Sequence, residues 1–208
     1  MDLFTRSFLL LLVLLNPFVL SVYLLELVRS LDLRSFSRQL ARAGAISLAV
    51  FTAFAWAGDG LFENVFQVRF FAFLIFGGIV FLIIGVRLII RNEEPSLPAG
   101  QGGEGAAVAI ATPFIIGPGT ISASVLAGAR LPFPLAVAAI GLALFAALAA
   151  MVLIKRLHDR VRRSHERLVR RYVQIAGRAT ALFTGSFAID MILRGLEGWL
   201  AFMGFGNS

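Results

Sequence analysis

The sequence predicts an all-α membrane protein with six transmembrane helices, arranged as two inverted three-helix repeats with broken first and fourth helices. Three observations lead to this fold class. Of the 208 residues, 59% are hydrophobic and 15% are charged, against about 45–50% and about 25% in soluble domains. The apolar residues fall into six runs, and two of these runs contain a proline at positions 101 residues apart.

The six apolar runs are predicted to be membrane-spanning helices, because about 20 apolar residues are needed to cross the hydrocarbon core. The runs are apolar on every face, which excludes transmembrane strands, since those alternate in polarity. We expect the first run to be a retained helix rather than a signal peptide, because Met1–Arg6 is not a positively charged leader. The predicted spans are Phe8–Val28, Ala41–Gly58, Phe70–Ile90, Gly105–Ala129, Leu131–Ile154 and Ala179–Met203.

Basic residues decide the predicted orientation, since cytoplasmic loops of membrane proteins are rich in Lys and Arg. Fifteen of the 19 basic residues lie between spans one and two, at the end of span three, and between spans five and six. The sequence therefore predicts a multi-pass membrane protein with cytoplasmic basic loops and both termini outside. The same distribution argues against nucleic-acid binding, although the net charge is +7.

The chain is predicted to consist of two related halves, 1–92 and 105–208. The linker at 93–104 is rich in Pro, Gly and Glu, which predicts a flexible cytoplasmic connection. Three spans per half is an odd number, so a duplication places the halves in opposite orientations, as in many transporters. Within the second half, 155–178 is predicted to be a basic cytoplasmic loop with an amphipathic helix that touches anionic lipid.

The main functional signal is a pair of helix breaks. The pattern apolar-apolar-x-Pro-x-x-apolar-Ser occurs at 14–21 and at 115–122. A proline removes one backbone N–H, and unpaired backbone groups in lipid cost several kcal/mol each. Paired breaks therefore indicate a buried or water-lined site, whereas a single break also fits a structural kink. The predicted substrate-binding residues are Asn16, Pro17, Ser21, Thr112, Gly117, Pro118, Gly119, Thr120 and Ser122.

Asp190 is the acid that lies well inside an apolar run, about 18 Å along a helix from Arg178. A carboxylate at this depth must be paired, face a cavity or be protonated. Two interpretations stay open. Asp190 and Arg194 form a proton-coupling or gating site, or they form a structural ion pair between residues i and i+4.

Enzyme chemistry finds no support in the sequence. The chain has no Cys, both of its His residues lie in the basic segment, and no hydrolase or metalloprotease motif occurs. We therefore expect no catalytic residue, no metal site and no cofactor.

Small residues recur at four-residue spacing in the middle span of each half. Span two carries Ala41, Ala45, Ala49, Ala53 and Ala57, and span five repeats the pattern at Ala139, Ala143 and Ala147. This spacing favours close helix packing, within one protomer or in a homo-oligomer. The expected partners are the lipid bilayer, a small solute and a second copy of the chain.

Taken together, these motifs resemble the MarC family of integral membrane proteins, which includes small neutral amino acid transporters of the SnatA type. The resemblance covers nearly the whole chain. It implies a protein of the prokaryotic inner membrane with two inverted repeats related to the LysE-type exporters. It also implies proton-coupled transport of small neutral amino acids such as glycine and alanine. The matching pieces are Asn16-Pro17, Gly77-Gly78, Ala111-Thr112-Pro113, Gly117-Pro118-Gly119-Thr120-Ile121 and Thr184-Gly185.

One position departs from the family pattern. The family often has a glycine soon after the Asn-Pro of the first helix, whereas Phe18, Val19 and Leu20 follow here. Bulky side chains at this point predict a narrower pocket, which argues against a solute as small as glycine.

The favoured function is an alternating-access transporter whose solute lies between spans one and four. The alternative is a non-transporting scaffold or a lipid-handling protein of the flippase or scramblase type, because broken helices also serve such proteins. A cavity that opens sideways to lipid would favour this alternative.

Overall fold

The computed structural model describes residues 2–17, 20–21, 24–58, 60, 62, 67–90, 115–162 and 166–204. Within these ranges the chain forms seven helices and no strand, which confirms the all-α class. The helices are α1 (Leu3–Leu15), α2 (Leu25–Ser30), α3 (Leu33–Ala57), α4 (Phe70–Ile90), α5 (Pro118–Arg130), α6 (Phe133–Arg162) and α7 (Glu166–Phe202).

Three segments of the described chain are long and apolar enough to cross a bilayer. They are Leu33–Ala57, Phe70–Arg87 and Phe133–Arg160. The helix α1 is apolar but has only 13 residues. The six-span inverted arrangement therefore stays a prediction. The linker 93–104 and the first part of the predicted fourth span, 105–114, lie outside the described residues.

The helix α4 has the predicted bounds, but α3 begins eight residues earlier than the predicted Ala41. The cause is Asp32, whose carboxylate accepts hydrogen bonds from the backbone N–H groups of Arg34 (3.1 Å) and Ser35 (3.3 Å). Such a cap satisfies amides that have no partner within the helix. Hydrogen bonds from the side chain and backbone of Ser35 also hold the pKa of Asp32 below its ordinary value.

The predicted basic loop at 155–178 is helical over most of its length. The helix α6 continues to Arg162, and α7 begins at Glu166. The two apolar helices are thus extended by charged turns, where a separate surface helix was expected. Charged residues do not end a helix, since Arg, Lys and Glu have high helix propensity and no Pro or Gly interrupts 155–176.

One hydrophobic core lies where α1, α3, α5 and α6 meet. Its most deeply buried large residues include Leu11, Phe36, Phe51 and Ile140, each less than 2% exposed. The helices approach closely at Gly128, where an added Cβ would collide with the carbonyl group of Ala55.

The two alanine patterns have different surroundings. Ala139, Ala143 and Ala147 of α6 are fully buried in the protomer. Ala41, Ala45, Ala49 and Ala53 of α3 are exposed. Only the α6 pattern therefore serves packing inside this chain.

A second packing unit is formed by α4 and α7. The two helices are antiparallel and touch through glycines, so that a Cβ on Gly85 would lie 3.2 Å from the backbone N of Gly185. At one end of the pair, the guanidinium of Arg69 lies 3.6 Å from the ring centroid of Phe202. The buried residues of this pair, such as Ala181 and Ala188, are not part of the main core.

A cavity between two broken helices

The first break lies at Asn16. The helix α1 ends at Leu15, and Asn16 adopts a left-handed backbone conformation with φ 31° and ψ 87°. Asn tolerates this region better than most residues because its short polar side chain interacts locally. A new helical turn starts at once, since the N–H of Leu20 donates to the carbonyl of Asn16 at 3.0 Å. Pro17 occupies the first position of that turn, where its missing N–H costs nothing.

The second break has the same construction. Gly117 is the N-cap of α5 and Pro118 is the first residue of that helix. The N–H of Ile121 donates to the carbonyl of Gly117 at 3.0 Å, which is the same contact that Leu20 makes with Asn16. The structure therefore shows a helix end at Asn16 and a helix start at Gly117, and each new turn begins with a proline. The part of the predicted fourth span that precedes this helix start, 105–114, lies outside the described residues.

Thr120 holds the second break in shape. Its hydroxyl accepts a hydrogen bond from the N–H of Gly117 at 3.0 Å and lies 2.9 Å from the carbonyl oxygens of Ile115 and Gly117. The carbonyl of Thr120 in turn accepts a hydrogen bond from the buried hydroxyl of Ser124 at 2.8 Å. The hydroxyl of Thr120 thus adds hydrogen bonds to backbone groups that are also paired within the backbone, since the N–H of Gly117 donates to the carbonyl of Ile115 at 3.1 Å.

A cavity of about 130 Å³ lies between the end of α1 and the start of α5, and residues of α4 and α7 line its other side. One water needs at least about 10–15 Å³, so the cavity has room for several waters or a small solute. Its lining is mostly apolar, with the amide of Asn16 and the hydroxyl of Thr184 as polar side chains beside the backbone of 115–120.

Five of the predicted substrate-binding residues line this cavity: Asn16, Gly117, Pro118, Gly119 and Thr120. Among the described residues, Pro17, Ser21 and Ser122 are not part of the lining. Thr112 lies outside the described residues. The structure therefore brings together the two breaks and Thr120, but not the serines that follow each break.

The third wall of the cavity, opposite the two breaks, was not predicted from the sequence. This wall consists of apolar residues of α4 and α7, including Val80, Phe187 and Met191. Apolar side chains carry no sequence signal that separates a pocket from a core. Gly77 and Thr184 also line the cavity, and both belong to the short motifs that suggested the family.

Gly77 places α4 against the second break. A Cβ at this position would overlap the ring of Pro118 and lie 3.1 Å from Cε of Met191. Because the proline ring is rigid, only glycine allows α4 to approach the start of α5 this closely.

Asp190 and Arg194 form the ion pair that one of the two interpretations requires. Nε of Arg194 lies 2.8 Å from Oδ2 of Asp190. Both side chains are about half exposed, and neither lines the cavity. Their geometry matches a pair on one helix face, and a role in proton coupling or gating stays a prediction.

Within the described part of the chain, no group of three or more His, Cys, Asp or Glu residues could hold a metal ion. Among the described residues that line the cavity, none has an ionisable side chain. Their polar groups are the amide of Asn16, the hydroxyls of Thr120 and Thr184, and the backbone at the ends of two helices.

No curated protein and no solved structure matches the chain. The sequence model of the MarC family integral membrane proteins matches residues 1–200. The apolar helices and the repeated helix breaks agree with an integral membrane protein. The chain belongs to the MarC family of integral membrane proteins.

Proposed function

We propose that this protein transports small neutral amino acids across the membrane by alternating access, with the cavity between the two breaks as its solute site. One observation carries the proposal. The end of α1 and the start of α5 face a single cavity, and each break is followed by a turn that begins with proline. Transporters of small solutes often bind them at interrupted helices, since the exposed backbone ends are polar in an otherwise apolar site.

The two helix ends have opposite polarity. Gly119 and Thr120 carry the first N–H groups of α5, and a helix start favours a carboxylate. Leu14 and Leu15 belong to the last turn of α1, whose carbonyl groups favour a cation. A zwitterion matches both ends at once, and a free amino acid is a zwitterion at neutral pH.

The size and lining of the cavity favour a small apolar side chain. A volume of about 130 Å³ is well below the roughly 300–1,000 Å³ of pockets for drug-sized ligands. Phe81, Phe187 and Met191 would surround the solute side chain. An apolar wall favours alanine over serine, because a buried hydroxyl without a partner costs free energy.

Helix packing supports two related halves. The second helices of the halves, α3 and α6, pack together, and so do the third helices, α4 and α7. The contact of α1 with α6 has its counterpart in the contact of α5 with α3. These exchanged contacts are what a duplicated three-helix unit produces. Among the described residues the symmetry is partial, because α5 also packs against α4 and α6 whereas α1 has no equally extensive contact with α7 or α3.

Alternating access requires two bodies that move against each other. We assign these roles to the α4–α7 pair and to the core of α1, α3, α5 and α6, because the cavity lies between them. Aromatic contacts attach the N-terminal end of α4 to the core. The ring centroid of Phe62 lies 5.0 Å from that of Phe70 and 4.9 Å from that of Phe73. The pair would rock about this end.

Proton coupling is part of the proposal and rests on the family resemblance. The described cavity lining offers no titratable group to a bound solute. Asp190 is the remaining candidate within an apolar run, so Asp190→Asn should remove the dependence of uptake on a proton gradient while solute binding persists. Retained gradient dependence in this variant would exclude Asp190 as the coupling group.

Direct binding of radiolabelled alanine to the purified protein tests the site. Asn16→Gly removes the amide and keeps the left-handed backbone accessible, so it should weaken binding without unfolding the protein. The matched control is Trp56→Ala on α3, whose side chain is 78% exposed. Unchanged binding in Asn16→Gly would exclude the site. Phospholipid scrambling without any amino acid binding would favour the lipid-handling function.

A further inference from the structure

A polar stripe runs along the exposed face of α7. It consists of Ser186, Asp190 and Arg194, spaced by four residues and all exposed. The surrounding surface is apolar, with Ile189 51% and Leu193 54% exposed. Apolar exposure is expected where a membrane helix faces lipid, but an ion pair on the same face is not.

The stripe lies level with the middle of α4, which is long and apolar enough to cross a bilayer and packs against α7. A Cβ on Gly78 would touch Ala188 and Ile192, so Gly78 is level with Asp190. Gly78 is eight residues from Phe70, or about 12 Å along an α4 helix about 31 Å long. This depth is close to the centre of a hydrocarbon core about 30 Å thick.

Lipid headgroups do not reach charges at this depth. Helical side chains tilt toward the N-terminus, so Arg194 points away from the Phe202 end of α7 and toward Asp190. The observed contact from Nε of Arg194 to Asp190 at 2.8 Å agrees with this direction. Charged residues within the membrane face other protein or water, and the flanking exposed Ile189 and Leu193 make a water-filled crevice a poor explanation.

We propose that the stripe of Ser186, Asp190 and Arg194 is the contact between two copies of this chain in the membrane. Two copies inserted in the same direction are related by a two-fold axis along the membrane normal, which places their α7 helices side by side. The stripe is self-complementary, because each copy presents a carboxylate and a guanidinium at the same depth. Arg has five N–H donors, so the contact through Nε leaves donors for Asp190 of the partner subunit.

The interface brings the serines together as well. Ser186 lies one turn from Asp190 toward the N-terminus of α7, and small hydroxyl residues allow helices to approach closely in lipid. The inference does not depend on solute binding in the cavity, since none of the three residues lines it, although Asp190 is also the candidate for proton coupling in the proposed function.

Disulfide trapping in native membranes tests the proposal, and the chain has no Cys to interfere. With an oxidant, Ser186→Cys should form a covalent dimer at least about tenfold more efficiently than the control, because disulfides need Cα atoms about 4.4–6.8 Å apart. The control is Phe145→Cys on α6, an apolar position that is 70% exposed. Equal trapping at both positions would overturn the proposal.

Charge exchange separates a specific contact from chance collisions. In the Ser186→Cys background, Asp190→Arg should reduce trapping about tenfold or more. Each copy then presents two guanidinium groups and no carboxylate at the contact, so the two copies repel each other in lipid. The double exchange Asp190→Arg with Arg194→Asp restores opposite charges and should restore trapping. Full trapping in the single variant, or none in the double variant while it remains folded, would contradict the proposed contact.

Discussion

Replacement of Gly77 by alanine is the sharpest test of how the cavity is built. The added Cβ would overlap the ring of Pro118, because an ordinary van der Waals contact of a Cβ with a neighbouring atom is 3.4–4 Å long. The ring cannot rotate away, so α4 and the start of α5 must separate by about 1 Å, and such overpacking costs about 1–3 kcal/mol. The same shift moves the N–H groups of Gly119 and Thr120 out of hydrogen-bonding distance from a bound carboxylate.

The expected losses follow from these distances. One lost hydrogen bond to a charged group is worth about 1.5–3 kcal/mol, which lowers the affinity for alanine about 10- to 150-fold. Gly185→Ala is the matched control, because its Cβ would meet nothing within 4 Å. Both substitutions gain the same helix propensity of about 1 kcal/mol, so the difference in unfolding free energy between them isolates the overlap at Pro118.

Two measurements decide this prediction. Denaturant unfolding in detergent should place Gly77→Ala about 1–3 kcal/mol below Gly185→Ala. Equilibrium binding of labelled alanine should be weak in Gly77→Ala and normal in Gly185→Ala. If both variants bind and unfold alike, the close approach of α4 to Pro118 does not shape the site.

Three further predictions concern the surrounding structure. Thr120→Val should lower the unfolding free energy by about 0.5–1.5 kcal/mol, because the buried hydrogen bonds of the Thr120 hydroxyl are lost; Thr120→Ser should largely restore it in the same denaturant assay. Gly128→Ala should be destabilising, since its Cβ would collide with the carbonyl group of Ala55, whereas Gly141→Ala should be tolerated at 3.9 Å from Leu48; thermal unfolding in detergent compares the two. The lowered pKa of Asp32 means that its cap stabilises the fold at neutral pH and is lost as the pH falls below about 4. Asp32→Asn should remove this part of the acid sensitivity, as a stability profile from pH 3 to 7 would reveal.

The helix breaks could be predicted from the sequence because proline and glycine act locally. Asn16-Pro17 and Gly117-Pro118 lie where the structure begins a new turn. Helix ends that depend on caps and charges were less predictable. The early start of α3 follows from Asp32, and the long α6 and α7 follow from helix-forming charged residues that the hydropathy pattern treats as loop.

The third wall of the cavity could not be predicted, because it is formed by contacts distant in sequence. Phe187 and Met191 look the same in sequence whether they face a cavity, a neighbouring helix or lipid. The need for glycine at position 77 arises only from its contact with Pro118, which lies 41 residues away along the chain. For Asp190 and Arg194, the spacing predicted the ion pair, but only the structure reveals that it faces outward.

Amino acid counterflow in proteoliposomes tests the central claim most directly. Vesicles loaded with unlabelled alanine should accumulate labelled alanine through the wild-type protein and Trp56→Ala, and much less through Asn16→Gly. Labelled serine and glycine, compared in the same vesicles, should exchange more slowly than alanine. No counterflow of any of these amino acids by correctly folded protein, with phospholipid scrambling followed in parallel, would contradict a solute site at the two helix breaks.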